Sequence, residues 1–125
     1  MEESKLSDDK IRKIIWGLSL RRDKLQKELS YPKSMIEGCL HVIYKKCGNP
    51  NCKCQKGEKH GPYWVLSKKE DGRRKLTYLQ RIDDVNMVKE YQKYNKRLAS
   101  IRKINEKIFY WLKILRDRHT FSYEK

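Results

Sequence analysis

Apolar residues are in short supply. Leu, Ile, Val and Phe together number 28 of 125, just above the level at which globular folding fails. That scarcity excludes a large self-contained core and predicts a fold that leans on a staple, a partner or both. No apolar run approaches the roughly 18 residues that a membrane-spanning helix needs. The polar start Met1-Glu2-Glu3-Ser4-Lys5 is unlike a signal or transit peptide. A cytoplasmic protein with no membrane association is therefore expected. Acidic residues are also few: 16 Asp+Glu against 31 Lys+Arg, a formal charge of +15. A genome-wide lysine bias, suggested by the single alanine, would enrich Glu as well, so it does not explain the missing acids. Such an excess points to a polyanionic partner or an anionic surface.

Catalytic constellations are missing too. The acidic doublets Glu2-Glu3, Asp8-Asp9, Glu70-Asp71 and Asp83-Asp84 read as tail, caps and turn rather than a metal-binding nuclease cluster. His41, His60 and His119 show no nucleophile–base arrangement, and no glycine-rich loop precedes a Lys-Ser/Thr pair. The expectation is a protein that is not an enzyme.

Three regions can be separated. Residues 1–32 read as an N-terminal helix, with Ser7 as its cap, Asp8 and Asp9 in the first turn, and Pro32 as its stop. Its apolar stripe is Ile11, Ile15, Leu18, Leu25 and Leu29, with Arg22 filling the one gap. Residues 33–82 hold the largest charge excess, and 31–82 carry 12 basic against 4 acidic residues. Here the β-rich Leu40–Tyr44 leads into an irregular stretch from Gly48 to Gly61. Asp71-Gly72 then joins Tyr63–Ser67 to Lys75–Leu79 as a two-residue hairpin turn, which sets Val65 opposite Tyr78 and Trp64 opposite Leu79. A minimal sheet needs its large side chains, so Trp64 and Tyr78 are expected in the hairpin's own core.

Residues 83–125 read as a long helix from about Asp83 to Arg118. Met87, Tyr91, Tyr94, Leu98, Ile101, Asn105, Ile108, Leu112 and Leu115 alternate steps of four and three, a heptad stripe with Asn105 at an a position. This helix either pairs with a second copy or partner protein, or folds back on the first helix. Leu98, Ile101, Asn105, Ile108 and Leu112 are the candidate dimer or partner interface. The predicted fold class is α+β: a small zinc-stapled β-hairpin unit flanked by an N-terminal helix and a long C-terminal heptad helix, one domain overall.

The sharpest feature is Cys47-Gly-Asn-Pro-Asn-Cys52-Lys-Cys54, with His60 following after five intervening residues. Three thiolates and an imidazole within fourteen residues make a complete tetrahedral set for one structural Zn²⁺. In a reducing compartment four cysteines favour metal ligation or free thiols over disulfides. Cys39 lies outside the cluster; it reads as a buried small residue or as a substitute for His60. The whole string from Cys47 through Gly57, His60-Gly61-Pro62-Tyr63-Trp64 and Leu66-Ser67 resembles a widespread prokaryotic domain family of unknown function with the signature CGxxxCxCxxGxxHGPYYYLS. The resemblance covers roughly residues 37–98. It implies a basic hairpin with a Gly turn followed by a helix, and proteins often encoded near transposases and other mobile elements. By that resemblance Cys47, Cys52, Cys54 and His60 are the family positions and Cys39 is not. Where the family usually has Tyr, this chain has Trp64 and Val65.

The motif-bearing middle is also the most basic part. Lys68, Lys69, Arg73, Arg74 and Lys75 crowd the hairpin tip, where like charges repel unless something neutralises them. Phosphate contact is the expected use, for DNA or RNA, with Tyr63 able to stack on an unpaired base. The function expected is nucleic-acid binding by a small zinc protein in an accessory or regulatory role. The alternative is a dimerising or protein-docking adaptor.

Overall fold

Ser7 starts the first helix as its sequence predicts. Its backbone is extended (φ −70, ψ 157), and its hydroxyl accepts from the Lys10 N–H at 3.2 Å, satisfying one of the open donors of the first turn. In the computed structural model, which describes residues 5–46, 48–52, 57 and 59–123, the elements run α1 (Asp8–Leu29), β1 (Cys39–Lys45), β2 (His60–Glu70), β3 (Arg73–Leu79) and α2 (Ile82–Arg118). The fold is α+β. α2 is 37 residues long, about 55 Å at 1.5 Å per residue, with Asp83 and Asp84 in its first turn and Arg116 and Arg118 in its last, as the helix dipole favours. No helix among the described residues is long and apolar enough to cross a membrane.

Two compact units form: Met1–Pro32 with Lys96–Lys125, and Lys33–Asn95. In the first, α1 and the C-terminal part of α2 run antiparallel. Arg118 donates to the Leu6 carbonyl at 2.7 Å and to Asp8 Oδ1 at 3.0 Å. Near the other end, Arg97 lies 3.9 Å from Glu28. Ile11, Ile15, Ile104 and Ile108 form the core, with Leu18, Leu25, Trp111 and Leu115 packed on it; each such isoleucine contributes about 2 kcal/mol through burial. Arg22 and Asn105, the polar interruptions of the two stripes, meet across this seam, the Arg22 Nη1 donating to Asn105 Oδ1 at 3.5 Å. The fold-back pairing that the sequence leaves open is the one seen within the chain.

Asp8 ties the open end of this pair. His119 Nε2 lies 2.7 Å from Asp8 Oδ2. That contact, then the Arg118 guanidinium, holds the Asp8 carboxyl below its ordinary value. A carboxyl lowered by folding contributes stability that is complete above its unfolded value, about 3.9, and is lost as pH falls through the lower folded value. Asp8→Asn is therefore expected to lower the melting temperature near neutrality, with the gap to wild type closing in acid below that range. A gap that persists unchanged in acid would contradict this role for Asp8.

The second unit is built on a three-stranded antiparallel sheet in the order β1-β2-β3. Asp71 (φ 49) and Gly72 (φ 78) both adopt left-handed backbone, the conformation of the mirror-image hairpin turn whose twist matches the strands. Val65 pairs with Tyr78 and Trp64 with Leu79, the register that the two-residue turn dictates. The expected hairpin gains a third strand because β1 pairs along the other edge of β2, Cys39 with Ser67 through Lys45 with His60. The strands also reach beyond their apolar centres, so His60 and Gly61 lie in β2 rather than in the loop. Among the described residues, Val65, Ser67, Val85 and Val88 are the buried ones of this unit. Lys89 of α2 sits 4.8 Å from the Trp64 ring centroid, and the Ile36 N–H donates to the Met87 carbonyl at 3.1 Å.

Candidate functional site

The turn that precedes Cys52 is closed by its own side chain. Asn49 Oδ1 accepts from the Asn51 N–H at 3.0 Å and the Asn49 carbonyl accepts from the Cys52 N–H at 3.2 Å, with Pro50 supplying the backbone angle of the first central residue. This turn delivers Cys52 to His60 at the start of β2. The Cys52 Sγ and His60 Nε2 are 2.8 Å apart, and both residues are half-buried. Zinc–sulfur and zinc–nitrogen bonds of about 2.3 and 2.0 Å set two tetrahedral ligand atoms about 3.5 Å apart, so a shared metal needs the pair to open by well under an ångström. Cys47 and Cys54 lie outside the described residues. Among the described residues no three His, Cys, Asp or Glu side chains come together as a metal-holding group.

The sheet register separates Cys39 from this pair. Cys39 stands opposite Ser67 and Lys45 opposite His60, which puts seven residue steps along β2, about 23 Å, between Cys39 and the pair. Cys39 is also exposed, not the buried small residue that its Gly-Cys-Leu setting suggests. Gly61 holds the two strands close. Its φ is 153, and a Cβ there would meet Tyr44 Cδ1 at 2.5 Å and the Ile43 carbonyl oxygen at 3.0 Å, so a side chain would push β1 away. The Gly61–Pro62 peptide bond is cis.

Beyond Gly61 the strands form a shallow groove of about 620 Å³ lined by Lys45, Pro62, Tyr63, Trp64, Tyr78, Leu79 and Gln80. Tyr63 and Tyr78 meet edge to face, centroids 6.3 Å apart. Lys45 sits over both, 5.4 and 4.7 Å from their centroids, and its Nζ donates to the Tyr78 hydroxyl at 3.0 Å. That hydrogen bond pushes the lysine above its ordinary value and fixes in place at the groove a charge that any lysine carries at neutral pH. Tyr78 is 49% exposed. It does not serve as core, because β3 is an edge strand and the central β2 carries the burial. Lys45 is not legible as a site residue in the sequence, since only the β1–β2 pairing, which no local turn signals, brings it to Tyr78.

At the tip, Lys68 faces Lys75 and Lys69 faces Arg74 across the strands. Lys68 lies 3.5 Å from Glu37, and Arg74 donates to the buried Ser67 hydroxyl at 2.7 Å. Lys69, Arg73 and Lys75 are exposed and have no ion-pair partner among the described residues. The candidate interface residues of α2 divide. Ile108 is buried in the helix pair, Ile101 and Asn105 are half-buried, and Leu98 and Leu112 are exposed.

Residues 15–90 match a family described as a domain of unknown function, DUF6788. This chain belongs to that family. No curated protein and no solved structure matches it. The DUF6788 region takes in the cysteine string, all three strands and the groove, and it ends before Ile104 and Ile108 of the helix pair.

Proposed function

We propose that this chain binds nucleic acid through the β2–β3 hairpin, and that Cys47, Cys52, Cys54 and His60 hold one structural Zn²⁺ at the sheet end beside it. The observation that carries this reading is the two like-charged cross-strand pairings in the register, Lys68 opposite Lys75 and Lys69 opposite Arg74. Like charges directly opposite are destabilising, and an exposed edge hairpin that keeps them is suited to phosphates of DNA or RNA. The likeness of the Cys47–Ser67 string to the family signature supports an accessory or regulatory role beside mobile elements. The reading assigns the chain no catalytic step.

The test is binding of labelled duplex and single-stranded oligonucleotides as salt is varied. The logarithm of affinity should fall linearly with the logarithm of salt concentration, at about −0.9 per phosphate contacted in duplex DNA. A second reading rests on Leu98, Phe109 and Leu112, which are 47, 60 and 44% exposed on α2: these side chains suit a second copy or a docked protein. Absence of nucleic-acid binding even at about 50 mM salt, together with a dimer mass in sedimentation, would favour this adaptor reading and contradict the first.

A further inference from the structure

We infer that the groove beside Tyr78 receives an unpaired base, so that the chain prefers single-stranded nucleic acid; this rests on the nucleic-acid reading above and names its substrate class. Three observations carry it. First, Arg74, Leu76 and Tyr78 alternate along β3 and so share one face of the sheet. Leu76 is 64% and Tyr78 49% exposed, and a small sheet that leaves apolar side chains this far out on an edge strand gains little from them in its own core. Second, same-face positions on a strand are about 6.7 Å apart, roughly twice the 3.4 Å rise per nucleotide in a duplex strand. Only an unstacked, extended strand sets successive bases at that spacing, and inside a duplex the base faces that an aromatic ring needs are already covered.

Third, the cations are placed for a backbone that runs along this face. Lys45 is held at the groove by its hydrogen bond to the Tyr78 hydroxyl. Arg74 is held at the other end by Ser67, with its cross-strand partner Lys69 beside it on the same face. The arrangement of an aromatic platform flanked by fixed positive charges is that of sequence-tolerant single-strand binding. Tyr78 supplies the stacking face, Lys45 the phosphate contact nearest it, and no base-reading side chain is required.

The experiment uses the full chain with three labelled probes of one length: oligothymidylate, an abasic strand with the same backbone, and a duplex. Wild type should bind oligothymidylate about 5- to 150-fold more tightly than the abasic strand, the factor that stacking on one base supplies. Tyr78→Leu should remove most of that advantage, read as the ratio of oligothymidylate to abasic affinity within the same variant. Tyr78→Phe, which keeps the ring, should retain it. Equal wild-type affinity for oligothymidylate and the abasic strand would overturn the inference whether or not the leucine variant folds. So would a Tyr78→Leu variant that binds oligothymidylate as well as wild type. In both cases salt-dependent duplex binding would leave the nucleic-acid reading standing. Failure of all three probes to bind would overturn that reading and the inference with it.

Discussion

Cys52→Ser is expected to reduce bound zinc from one equivalent to a small fraction and to lower the melting temperature of the Lys33–Asn95 unit sharply. The expectation follows from geometry and from composition. Cys52 is one of the two proposed ligands whose positions are described, and it already touches the other, His60, at 2.8 Å. The stretch between β1 and β2 runs from Lys46 to Lys59 and contains no Leu, Ile, Val or Phe, so almost no apolar burial holds it. In such a segment metal binding is folding free energy, about 10–16 kcal/mol in small structural zinc sites. A serine hydroxyl replaces a thiolate poorly as a zinc ligand. Metal analysis of freshly purified wild type and variant reads the result directly. A wild type with only a trace of zinc would remove the metal claim, and a variant that keeps a full equivalent would remove Cys52 from the ligand set. Because His60 pairs with Lys45 in the sheet, loss of the metal should also weaken nucleic-acid binding at the groove.

The second large effect is expected at the hairpin tip. Replacing Lys69, Arg73 and Lys75 together by glutamine removes the three exposed cations that have no ion-pair partner among the described residues. It spares Lys68, which pairs with Glu37, and Arg74, which satisfies the buried Ser67 hydroxyl. The fold should therefore survive, and relief of repulsion between Lys69 and Arg74 and between Lys68 and Lys75 should slightly raise the melting temperature. Duplex affinity at about 0.1 M salt should fall by about two orders of magnitude, and the salt slope should flatten by nearly three units, one for each phosphate that these cations neutralise. An unchanged slope would mean that these side chains do not touch phosphate.

Much of the architecture is legible in the sequence because local signals specify it. Ser7, with Asp8 and Asp9 behind it, announces α1, and the unbroken periodicity announces α2. Asp71-Gly72 fixes the pairing of Val65 with Tyr78, since a two-residue turn leaves one register. Where pairing depends on distant residues, local signals are silent. Nothing between Lys46 and Lys59 says that β1 returns to β2, so neither the third strand nor the place of Lys45 beside Tyr78 can be read from the residues alone. A single heptad drawn through α2 passes over Val85 and Val88, because each compact unit draws on its own stretch of that helix. A thin core argues for burying every aromatic, which places Tyr78 inside. That expectation fails because β3 is an edge strand whose side chains stay largely in solvent.

The measurement that tests the central claim most directly is photo-crosslinking in intact cells followed by peptide mapping of the purified chain. The account predicts nucleotide adducts on peptides of β1–β3, foremost those carrying Tyr63 and Tyr78, and their loss on removal of the tip cations. Crosslinks to protein alone, through peptides of α2 that carry Leu98, Phe109 and Leu112, would contradict it.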